Sequence, residues 1–104
     1  MTLVMNTASL EYVKVPVAVV KNGAVYNPTG SGVFLAFVAG HDLTAVTWHN
    51  ASWETDAAGT HWARCLVGPG GTATLVAGRY NVFVKVVDNP EIPAIKAEGQ
   101  LVVT

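Results

Sequence analysis

The chain has 104 residues, 51% of them apolar and only 12% charged, with a formal net charge of −1. That length fits one domain, and surface scaling leaves roughly 5,600 Å² of roughly 16,000 Å² exposed after folding, so a core can form without disulfides or metals. The six cationic residues Lys14, Lys21, Arg64, Arg79, Lys85 and Lys96 are dispersed, which excludes the clustered positive charge that a nucleic acid or an anionic membrane surface requires.

Residues 1–9 show no period and read as an N-terminal arm, and residues 10–104 as a single β-sandwich domain. The beginning, MTLVMNTASLEY, lacks the basic region and apolar run of a secretory signal, and a cytoplasmic origin is expected. From Leu10 the pattern alternates, with Val13, Val15, Val17 and Val19 on one face and Tyr12, Lys14 and Pro16 on the other. Pro16 cannot donate to a ladder, so it marks an edge strand or a break between two strands. Lys21-Asn22-Gly23 supplies a turn, AVYNP a short strand or loop, and residues 27–32 a loop. VFLAFVA (33–39) is apolar throughout, β-branched and aromatic, and bounded by glycine. It reads as a buried strand and is far short of a bilayer span.

TAVTWH alternates with Val46 and Trp48 on one side, which places Trp48 in the core. NASWETDAAGTH reads as loop with a short strand near Trp53, WARCLV (62–67) as a strand, and Gly68-Pro69-Gly70-Gly71 as a hairpin turn. TATLVAG reads as a short strand and a corner. GRYNVFVKVV and GQLVVT form the last two strands, joined by residues 88–97. No stretch carries ten residues of helical period, and seven to eight short strands separated by turns argue for an all-β sandwich or small barrel. Two details favour the immunoglobulin-like antiparallel β-sandwich. Tyr80 follows a Gly corner two residues before the inward Val82, as a tyrosine corner does, and Trp48 follows the apolar strand 33–39.

No catalytic constellation is legible, and no enzyme activity, cofactor or metal is expected. His41, His49 and His61 are spaced by eight and twelve residues, unlike a compact metal motif. Cys65 is the only cysteine and reads as a small buried hydrophobe. GPGG lacks the Lys-Ser/Thr and the helix of a phosphate loop. The aromatics carry more. Trp53 and Trp62 bracket a polar loop, as hot-spot residues of a protein contact or as a sugar-stacking pair would. Phe83 and Val87 stand on the face of their strand opposite Val82, Val84 and Val86. They are expected to be covered, either by a neighbouring subunit or by the loop that follows. Phe83, Val87, Trp53 and Trp62 are therefore the candidate interface residues.

The segments YVKVPVAVVKNGAVYNPTGSGVFLAFV, WHNASWET, ARCLVGPGGTATL and GRYNVFVKVVDNPEIPAIKAEGQLVV resemble small proteins encoded among the virion structural genes of tailed bacteriophages infecting actinobacteria. The resemblance spans residues 11–104, with ARCLVGPGG and DNPEIP its most specific parts. It implies an immunoglobulin-like sandwich located in the virion and assembled in the host cytoplasm. The leading expectation is a minor capsid or decoration protein that binds the major capsid protein, present in many copies or as a homo-oligomer, with the 1–9 arm adding a strand to a neighbour. A head–tail connector or tail protein, and a carbohydrate-binding module using Trp53 and Trp62, are the alternatives.

Overall fold

The computed structural model describes residues 2–21, 23–40, 46–87 and 94–104. Ten strands occur among them: β1 (Thr2–Met5), β2 (Glu11–Val17), β3 (Val19–Lys21), β4 (Ala24–Tyr26), β5 (Gly32–Val38), β6 (His49–Asn50), β7 (Ser52–Thr55), β8 (His61–Val67), β9 (Gly78–Val87) and β10 (Ala94–Val103). A single 3-10 turn at Pro28–Gly30 is capped by Asn27, whose side chain accepts from the Thr29 amide. The strands exceed the expected seven to eight because four of them, β1, β3, β4 and β6, are too short to show a period.

Two layers pack face to face. One sheet has the order β1-β10-β9-β5-β6 and the other β2-β8-β7, while β3 and β4 form a separate hairpin. The period-2 pattern decides which side chains lie between the layers. Val13, Val15 and Val17 from β2 and Ala63, Cys65 and Val67 from β8 meet Val33, Leu35, Val82, Val84, Val86, Leu101 and Val103 from the larger sheet. The apolar run of β5 behaves as expected of a strand covered on both sides, with Leu35 buried on one face and Ala36 on the other.

β2 stands at the edge of its sheet, and Pro16 lies exposed within it opposite Trp62, as a residue without an amide donor must. The chain then changes sheets after Ala18. Gly23 closes the β3–β4 hairpin at φ +78°, in the left-handed region that glycine adopts without a Cβ clash.

Several expectations change. The arm pairs within its own chain: β1 runs parallel to β10, from Thr2 opposite Gln100 to Met5 opposite Val103, and Met5 enters the core. Val46–Trp48 form no strand. Gly68–Gly71 is not a hairpin turn. It folds the chain back so that the Gly68 amide donates to Ala73 O at 2.8 Å and Val67 bridges Ala73 in parallel. Residues 74–77 are likewise not strand, and carry the chain from the smaller sheet to β9 in the larger one. The final strand begins at Ala94, earlier than expected, because a register shift between Lys96 and Gln100, with Gly99 at φ +77°, interrupts an otherwise continuous pairing. Residues 88–93, the first part of the connection expected between the last two strands, lie outside the described residues.

Candidate functional site

The outer face of the three-stranded sheet joins three charged side chains, Lys14, Glu54 and Arg64. Register places Tyr12 opposite Leu66, Lys14 opposite Arg64, Pro16 opposite Trp62 and Glu54 opposite Trp62, so these side chains share one surface. Glu54 accepts from Lys14 Nζ at 2.7 Å and from Arg64 Nη1 at 3.0 Å. Arg64 also donates through Nε to Ser52 Oγ at 3.1 Å, and its guanidinium lies 4.6 Å from the centre of the Tyr12 ring. The Lys14 hydrogen bond holds the Glu54 carboxyl below its ordinary value against partial burial, and the charges of Lys14 and Arg64 add to the effect.

The β7–β8 turn is organised around Asp56. Its Oδ1 accepts from the amides of Ala58 at 2.9 Å and Thr60 at 3.0 Å, and its Oδ2 accepts from Trp62 Nε1 at 3.0 Å. The indole donor is the main cause of a depressed Asp56 pKa, with the Thr60 amide next. His61 Nδ1 lies 2.8 Å from Thr55 Oγ1 on the neighbouring strand.

The outer face of the larger sheet is organised differently. Arg79 donates to Gln100 Oε1 at 3.1 Å, Gln100 Nε2 to Asn81 Oδ1 at 3.1 Å, and Asn81 Nδ2 to Gly40 O at 3.0 Å. This relay satisfies the side chain of Asn81, which is buried. Further along the same face, Lys85 Nζ lies 4.9 Å from the Phe34 ring centre and 4.7 Å from that of Trp48. The ammonium is thus held between two aromatic faces.

The sequence-derived candidates separate. Phe83 is only 6% exposed in the isolated chain, so the chain itself covers it and it is not a surface residue. Val87 is half-buried opposite Gly32. Trp53 and Trp62 do not form a pair: Trp53 aligns with Ala63 and packs against the core, whereas Trp62 aligns with Glu54 on the outer face. A sugar-stacking platform made of both is ruled out by their opposite directions. Trp53, with Nε1 donating to Ser31 O at 2.9 Å, fills the role expected of Trp48. Trp48 lies instead beside Lys85 on the outer face.

Cys65 faces the core and burial pushes its thiol pKa up. Among the described residues no three His, Cys, Asp or Glu side chains converge as a metal site, and no helix is long and apolar enough to cross a membrane. His41 lies outside the described residues.

The exposed apolar side chains are elsewhere than expected: Leu3 and Val4 on β1, Leu10 and Tyr12 at the start of β2, and Val76 before β9. For Leu3 and Val4 a signal was present in the apolar run LVM ahead of polar NTAS. Comparison with protein-family models, with curated proteins and with solved structures returned no match.

Proposed function

We propose that this chain is a non-enzymatic structural protein of a bacteriophage particle, an immunoglobulin-like sandwich that binds the major capsid protein as a minor capsid or decoration protein. The observation that carries the reading is the set of exposed apolar side chains, Leu3, Val4, Leu10, Tyr12 and Val76, on a chain in which 12% of residues are charged. Such side chains favour contact with another protein over water. The strand order supports the immunoglobulin-like form. A three-stranded sheet faces a sheet in which the first strand runs parallel to the last, and Tyr80 at the start of β9 donates its hydroxyl to Val76 O at 2.8 Å, as a tyrosine corner does. The resemblance over residues 11–104 supplies the virion context.

The mechanism is mechanical. A rigid sandwich adds buried area between shell subunits, where a stable contact needs about 1,600 Å² in total, and repetition across a lattice converts weak contacts into avidity. Quantitative mass spectrometry of purified particles tests it. A copy number matching the capsid lattice is expected. A copy number matching a single ring would move the protein to the head–tail connector or the tail, and absence from the particle would overturn the reading.

A further inference from the structure

β1 lies at the edge of the five-stranded sheet, with β10 on one side and no paired strand on the other among the described residues. The other outer edges of the two packed sheets are blunted in ways that disfavour strand addition. β2 carries Pro16 and the charges of Glu11 and Lys14, β7 carries Glu54, and β6 is two residues long. β1, with the sequence TLVM, has neither charge nor proline.

Its hydrogen bonding has a direction. Met5 stands opposite Val103 in parallel register, and Met5 O accepts from the Thr104 amide at 2.9 Å. In a parallel ladder the residues that bond to the neighbouring strand alternate with those that do not. Leu3 and Met5 therefore spend their amides and carbonyls on β10, while those of Thr2 and Val4 point away from it. The Val4 side chain is 68% exposed, and Leu3 is 38% exposed on the core side, next to the buried Met5.

We propose that two copies of this chain pair antiparallel through the free edges of β1, with Val4 opposite Val4 of the second copy, so that the two five-stranded sheets become one. A second copy is the occupant for three reasons. An uncharged strand meets no like-charge repulsion from itself, which β2 with its Glu11 and Lys14 would have to align against. The register centred on Val4 is the one in which each outward Val4 amide meets the other copy's Val4 carbonyl, giving a hydrogen-bonded pair on the symmetry axis. The same register sets Leu3 of each copy opposite Met5 of the other, which carries the core-side apolar row across the junction and covers Leu3. The pairing does not depend on the virion reading, and each can fail without the other.

Four residues a side fall short of the roughly 1,200 Å² at which isolated interfaces become stable, so the free chain should dimerise only in the range of about 0.1–1 mM. Analytical ultracentrifugation across that range tests it, with the Val4 amide followed by hydrogen exchange. A concentration-dependent dimer with a protected Val4 amide is expected. Val4→Pro removes only an outward donor, and Val4→Lys places two charges on the axis. Each should weaken dimerisation at least about tenfold while the melting temperature at low concentration is kept. A chain that stays monomeric to about 1 mM overturns the proposal, as does a dimer that both variants leave intact. Strand addition at β1 by a different protein, with the chain itself remaining monomeric, overturns it as well.

Discussion

Phe83 of β9 stands directly opposite Ala36 of β5 on the outer face of the larger sheet, and the two are 6% and 0% exposed. The aromatic ring on that face is therefore covered within the chain itself. Phe83→Ala should destabilise the isolated chain by about 3–5 kcal/mol, the cost of emptying a buried aromatic site. Urea denaturation of the free protein checks it. A loss below about 1 kcal/mol, with weakened virion association, would return Phe83 to an interface role.

Tyr80 ties the entry of β9 to the preceding loop through its hydroxyl and Val76 O, 2.8 Å apart. The bond is on the exposed side of the corner, so its net worth is modest. Tyr80→Phe should cost about 0.5–1.5 kcal/mol in chemical denaturation and leave the ring packed against the core. Loop residues 74–77 should show faster amide exchange in the variant.

Gly68 has φ +135°, and a Cβ there would lie 2.1 Å from Ser9 O. Both the backbone conformation and the close approach of the Ser9–Leu10 segment demand glycine. Gly68→Ala should cost at least about 3 kcal/mol, because strain and overpacking add. Gly70, at φ +80° with open space around it, is the control, and its alanine variant should lose only about 1–2 kcal/mol. Equal losses at the two positions would mean that Ser9 moves aside freely.

Acid should weaken the outer face of the smaller sheet. Glu54 and Asp56 are held below their ordinary pKa values of 4.5 and 3.8 in the folded chain. A carboxyl with a depressed folded pKa contributes stability that is fully present above the unfolded pKa and lost as pH falls through the folded one. Melting temperature should thus be level from neutral pH to about pH 5 and decline below it. Glu54→Gln should flatten part of that decline. In Trp62→Phe, which lacks the indole donor to Asp56 Oδ2, the Asp56 carboxyl should titrate at higher pH by carbon-13 NMR. An unmoved Asp56 titration would show that the turn amides alone hold it.

The strands that carry the core were readable because burial on one side imposes a period of two. Val13, Val15 and Val17 in β2, and Val82, Val84 and Val86 in β9, alternate as the pleat requires, and all six are buried. Tyr80 was readable for a local reason, since its partner lies four residues away. Trp48 was misplaced because TAVTWH alternates without being a strand throughout: described residues 46–48 are not, and pairing begins only at His49. The tryptophan packed against the core, Trp53, sits in the short strand expected around it, but four residues, SWET, carry too few repeats to show which face is inward. The burial of Phe83 was missed for a related reason. Alternation tells which side chains share a face, as it did for Phe83 and Lys85, but not what lies above that face.

What the sequence determined by itself was the all-β class, the two inward valine stripes, the exclusion of Pro16 from a central strand and the turn at Gly23. Each is decided within a few residues, by side-chain alternation, a missing amide or a glycine conformation. Only the tertiary structure decided that β1 docks on β10, that Phe83 and Ala36 are covered, that Trp53 and Trp62 face opposite ways, and that Glu54 joins Lys14 to Arg64. Those relations link residues brought together by sheet order and register, as when Met5 meets Thr104 at opposite ends of the chain. The free energy that selects them comes from burying whole faces together, a quantity that no short stretch of chain contains.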